Sequence, residues 1–171
     1  MKLSEINAGN TFTVADIEFI KVKNTESGCV VVAKESLFNS EYGDNNNFAE
    51  SKILKEINKE ILPKIEDAIG AENVLEFETD LTALDGLKTY GSMKSKISLP
   101  TLDLYRENVE IFDKHKLKKW WWLSTPDTTP EHYNALWAVC VSPNGFIGNY
   151  ICNDGLGVRP VLIFASDISV S

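Results

Sequence analysis

Long apolar runs are missing from this sequence: nothing approaches the ~20 consecutive apolar residues that a membrane-crossing helix requires. The opening stretch, Met1-Lys2-Leu3-Ser4-Glu5-Ile6-Asn7, lacks the apolar segment of a secretory signal. Cysteine is scarce. Cys29, Cys140 and Cys152 are an odd, widely spaced set, which reads as buried reduced thiols and not as a disulfide framework. From these absences synthesis is expected in the cytoplasm, and no membrane insertion is expected. Histidine is limited to His115 and His132; with no CxxC or clustered histidine, neither metal nor cofactor is expected. Basic blocks are missing too, and 25 acidic against 17 basic residues leave a net charge of −8. That balance argues against nucleic acid as a partner, since neutralised phosphates supply most of such affinity.

What is present is enough for a core. At 171 residues, 43% hydrophobic and 10% aromatic, the chain fits one α+β domain over residues 1–171. Thr11-Phe12-Thr13-Val14, Ile17 to Val22 and Cys29 to Ala33 alternate as an antiparallel meander within residues 1–40. The polar loop from Tyr42 to Asn47 lacks the alternating acids and terminal Glu of an EF-hand and reads as a surface turn. Within residues 47–70, Ile53, Ile57 and Ile61 form one helical stripe, with Asn47 as N-cap. Pro63 ends or kinks that helix, and a short second one runs from Lys64 to Gly70.

Farther on, Val74 to Glu78 reads as a strand, Leu102 to Glu107 as a helical turn capped by Thr101, and Asp113 to Lys119 as an exposed charged link. The final part, within residues 96–171, is strand and loop. Trp120-Trp121-Trp122-Leu123 is extended, so its indoles alternate between the two faces of a sheet. Ser124 to Asn134 is a polar loop containing His132 and Tyr133. Asn144-Gly145 between apolar runs predicts a two-residue hairpin pairing Trp137 with Cys152 and Cys140 with Asn149. Val158 to Phe164 is the closing strand, and Pro160 within it predicts an edge or a bulge.

Trp121-Trp122-Leu123-Ser124-Thr125-Pro126 followed by Gly157-Val158-Arg159-Pro160 resembles an uncharacterised bacterial and prophage domain family. Its signature reads Trp-Trp-Leu-Arg-Ser-Pro, then a hairpin, then Gly-Val-Arg-Pro. The helix beginning Asn47-Phe48-Ala49-Glu50-Ser51 and the segment Ser98 to Tyr105 extend the likeness over nearly the whole chain. The departures are Ser124 for the first motif's arginine, and Leu54 and Glu56 for the helix arginine and tryptophan; Arg159 is the motif arginine retained. The resemblance implies a C-type-lectin-like fold, shared with formylglycine-generating enzymes, in which two helices flank antiparallel sheets and long loops carry binding.

No nucleophile–base spacing or lectin calcium set accompanies that fold, so the expected function is a non-catalytic module binding a protein or carbohydrate ligand. Its contacts are expected at Tyr133, Asn149, Tyr150, Asn153 and Asp154, which combine rigid rings with adaptable polar groups. Trp121, Trp122, Trp137 and Arg159 are read as structural. A phage structural component or a small phage inhibitor acting through protein–protein contact is the alternative, and an enzyme on the formylglycine scaffold ranks below both.

Overall fold

The alternating N-terminal runs become β1 (Thr11–Val14), β2 (Ile17–Asn24) and β3 (Cys29–Ala33) in the computed structural model, which describes all 171 residues. Ala15 and Asp16 both take positive φ between β1 and β2, the backbone that a two-residue hairpin requires. Residues 1–40 are not all meander, because β4 (Phe38–Ser40) leaves it to pair elsewhere.

Ser51, not Asn47, caps the main helix; Asn47 caps only the 3-10 turn Phe48–Glu50 before it. The helix is then continuous over residues 52–69, as α1 (Lys52–Glu56), a π-helical segment (Ile57–Ile61) and α2 (Leu62–Ile69). Pro63 therefore does not divide it. Its missing N–H, and the clash it imposes on the carbonyl of Lys59, are absorbed by the widened π turn that precedes it. Ile53, Ile57, Ile61 and Ile65 stay on one buried stripe, each contributing roughly 1.5–3 kcal/mol of burial.

β5 (Phe77–Asp80) and β6 (Ser92–Ser95) form a separate hairpin, and the Val74–Glu78 reading catches only its start. β7 (Ile97–Ser98) is followed by α3 (Leu102–Glu107) and α4 (Val109–Asp113), then β8 (Trp121–Pro126), β9 (Trp137–Val141), β10 (Ile147–Ile151), β11 (Leu156–Val158) and β12 (Val161–Phe164). One sheet has the order β1-β2-β3-β12-β7, the other β10-β9-β8-β11-β4. The closing run is thus two strands in two sheets. Pro160 stands at the crossover, where no ladder N–H is needed, and β12 is interior.

Two cores lie on opposite faces of these sheets. The larger joins the isoleucine stripe to Phe19, Val31 and Leu162 of one sheet and Trp122, Ala138 and Cys140 of the other. The smaller packs Tyr105 and Phe112 of α3–α4 against Val30, Val161, Trp121 and Val139. The molecule is accordingly α+β, with helices against both faces.

Candidate functional site

The three consecutive indoles divide by strand parity. Trp121 is 2% exposed and stacks on Phe112, while Trp122 is fully buried on the other side. Trp122 Nε1 donates to the Ser40 carbonyl at 2.9 Å, and its ring meets Tyr42 edge-on at 5.1 Å. Trp120, just before β8, shares Trp122's face but lies only half-buried at the rim.

The hairpin beside it differs from the expected one by one residue. Its turn takes Pro143, Asn144 and Gly145, with Ser142 N donating to the Phe146 carbonyl at 2.9 Å and Gly145 at φ +88°. Ser142 Oγ accepts from the amides of both Asn144 and Phe146. Trp137 therefore pairs with Ile151, Cys140 with Gly148, and Tyr150 with Ala138. A slip of one residue exchanges faces, and here it brings Tyr150 to the side of Trp120.

Phe146, Gly148 and Tyr150 consequently share one face, with the Trp120 indole lying against them. Its centroid is 5.8 Å from Phe146 and 5.0 Å from Tyr150, both edge-on. Gly148 makes room: a Cβ there would come within 2.9 Å of the indole. Phe146 is 57% exposed at the top of this group. The Tyr105 hydroxyl donates to the Gly145 carbonyl and holds the hairpin tip from α3.

Of the residues expected to bind, Tyr133 is 75% exposed on the 127–136 loop. Asn153 and Asp154 are exposed in the turn after β10, closed by Asp154 N to the Ile151 carbonyl at 3.0 Å. Tyr150 is half-buried against Trp120, whereas Asn149 points to the opposite face beside Ile147 and Ile151. Asn149 and Tyr150 therefore do not form one surface. Phe146 and Gly148 are not among the residues expected to bind; their signal is the i, i+2, i+4 alternation Phe146-Gly148-Tyr150, and Trp120 is the one of the four indoles that reaches this surface.

The loop taken for a surface turn is built into the protein. Asn46 is fully buried, and its Nδ2 donates to the carbonyls of Thr128 (2.7 Å) and Trp137 (2.9 Å). Tyr90 Oη donates to its Oδ1 at 2.6 Å. Tyr42 is likewise buried, and Ser124 and Thr125 belong to β8, so the polar loop is shorter than its composition implied. His132 Nδ1 lies 2.7 Å from Asp85 Oδ2, an acidic partner brought from 47 residues away. Trp137 itself is only half-buried.

Against known proteins, the chain matches no family model, no curated protein and no solved structure.

Arg159 is fully buried without a carboxylate. Nε donates to the Ala33 carbonyl at 2.7 Å, and Nη2 to those of Lys34 (2.8 Å) and His115 (3.0 Å). Its guanidinium lies 4.9 Å from the Trp121 ring and 5.4 Å from Phe112. Burial lowers its pKa to about 10, which leaves it charged at neutral pH. The 113–119 link is exposed at Asp113, Lys114, Lys116, Lys118 and Lys119, and it is anchored by this contact, by His115 Nε2 at 2.9 Å from the Gly9 carbonyl, and by buried Leu117.

All three cysteines are free and buried, and desolvation pushes Cys140 and Cys152 up to about 12. Such thiols stay protonated and unreactive at neutral pH. No three His, Cys, Asp or Glu side chains converge in metal-binding geometry, and no helix is long and apolar enough to cross a membrane.

Proposed function

We propose that this chain is a non-catalytic recognition module of bacterial or prophage origin, built on a C-type-lectin-like plan, and that its ligand is a carbohydrate. The fold supports that plan by placing helices on both faces of two sheets and a long loop between β8 and β9 of the second sheet. The observation that carries the ligand class is the rim group of Trp120, Phe146 and Tyr150 around Gly148. Sugar rings present apolar C–H faces that lie against aromatic rings, with hydroxyls left for polar groups nearby. Asn153 and Asp154 are exposed polar groups in the turn that follows β10, and Tyr133 is exposed on the loop at the other end of β9 from Phe146.

Binding to a panel of immobilised glycans tests the reading. Wild type retains at least one glycan, and Trp120→Ala and Phe146→Ala lose it while their circular dichroism stays unchanged. Equal retention by all three proteins overturns it.

One feature favours a protein partner as the second reading. In the β9–β10 ladder the even-numbered residues of β10 bond to β9, so Ile147 and Asn149 turn their backbone N–H and C=O groups outward. β10 is an edge strand with no charge, proline or bulge to guard it. Under this reading Asn149→Pro abolishes binding and Phe146→Ala does not.

A further inference from the structure

A cleft of about 420 Å³ lies beside the aromatic rim, lined by Lys116, Lys118 and Lys119 on one side and Ser36 and Asn39 on the other. Glu35 is its one carboxylate and Leu117 its one apolar residue. None of these three ammonium groups forms an ion pair, as is true of most lysines in the chain; what sets them apart is that they line one concavity. Three ammonium groups and two uncharged polar side chains thus line one concavity.

The lysines sit on a fixed backbone. Arg159 holds the His115 carbonyl at 3.0 Å, Leu117 is 7% exposed in the smaller core, and the Trp120 carbonyl accepts from Gly157 N at 3.0 Å. Gly157 lets the Ser36 side chain pack close, since a Cβ there would meet Ser36 Oγ at 2.2 Å. The segment therefore presents its charges without the ordering cost of a mobile tail.

Its position ties it to the rim. Lys119 precedes Trp120, and Lys116 Cε lies 3.2 Å from where a Gly145 Cβ would stand, one residue before Phe146. Asp113 Oδ1 lies 3.1 Å from the same point, so a carboxylate stands near Lys116 there.

We propose that this cleft is an anion subsite and that the ligand is an acidic polysaccharide, its sugar rings on the Trp120–Phe146–Tyr150 rim and its carboxylate or sulfate groups on Lys116, Lys118 and Lys119. This rests on the carbohydrate reading above and narrows its ligand class. Lysine suits such a polymer, offering compact hydrated charges to successive anionic groups without the bidentate fork of arginine. The charge also supplies attraction that the acidic remainder of the protein opposes, so binding depends strongly on salt.

Isothermal titration calorimetry with two matched pairs tests the proposal: polygalacturonate against its methyl ester, and dextran sulfate against dextran. The first pair isolates carboxylate and the second sulfate. Wild type binds at least one acidic member more tightly than its neutral partner, and the preference shrinks as salt rises from about 0.05 to about 0.5 M. Lys116→Ala/Lys118→Ala/Lys119→Ala lowers that affinity about tenfold and leaves neutral binding unchanged. Lys88→Ala/Lys94→Ala, far from the cleft in sequence and equal in kind of charge removed, leaves the preference intact.

Equal binding of acidic and neutral partners, both lost in Trp120→Ala, overturns the anion subsite while the carbohydrate reading stands. No binding of any polysaccharide overturns both. Poly-glutamate binding as tightly as polygalacturonate, insensitive to Trp120→Ala, assigns the lysines to an acidic protein and overturns the polysaccharide.

Discussion

The amide of Asn46 donates across 2.9 Å to the carbonyl of Trp137, 91 residues away in sequence, and so ties the 42–47 loop to the start of β9. The same amide holds Thr128, and its oxygen holds Tyr90. Three loops meet on one side chain. Asn46→Ala strands the Thr128 carbonyl and the Tyr90 hydroxyl, while the Trp137 carbonyl keeps the Asp127 amide; each unsatisfied group costs about 1–3 kcal/mol. The expected outcome is a urea midpoint lowered by at least about 2 kcal/mol of stability. Limited proteolysis is expected to cut first within residues 127–136.

At the rim, Gly148→Val forces the Trp120 indole away, since a Cβ already reaches within 2.9 Å of it. Tryptophan emission shifts red and glycan binding is lost. Tyr150→Ala removes one edge-on contact with Trp120 and costs about 0.5–1.5 kcal/mol beyond its lost burial. Tyr133→Ala, by contrast, stays within about 0.5 kcal/mol of wild type in chemical denaturation.

For Arg159, the three carbonyls it serves come from Ala33, Lys34 and His115. Arg159→Ala leaves them unpaired and opens a void beside Trp121, costing about 3–5 kcal/mol. Arg159→Lys keeps the charge but not the fork and recovers less than half of that in urea unfolding.

Asp85 makes the acid limb of stability measurable. The hydrogen bond from His132 is the main cause holding its carboxyl below the ordinary value of 3.8. A carboxyl with a lowered folded pKa contributes stability that is present above its unfolded value and lost as pH falls through the folded one. Asp85→Asn is therefore less stable than wild type near pH 6, and the gap closes progressively from pH 3.8 downward. Urea midpoints of both proteins across that range check the sign.

Much of the fold was readable because its signals are local. The isoleucine stripe, the meander and the Thr101 cap follow from periodicity and short-range hydrogen bonding, and each stands in the structure. The helix continuing through Pro63 was not readable, because a π turn leaves the hydrophobic spacing nearly unaltered. The hairpin register turned on Ser142, whose hydroxyl closes a three-residue loop where Asn144-Gly145 alone implied two. That one residue decided which face Tyr150 occupies, and with it half of the candidate site. The buried Asn46 hub and the His132–Asp85 pair depend on contacts between distant segments, which no spacing along the chain reveals.

The crossover at Arg159-Pro160 also sets an order of assembly. β11 is an interior strand of one sheet and β12 of the other, so residues 156–164 complete both. While the chain is being made, the meander and the tryptophan strand emerge from the ribosome long before the strands that must lie beside them. Neither sheet can close on a nascent chain that still lacks this stretch, and the folding transition waits for its release.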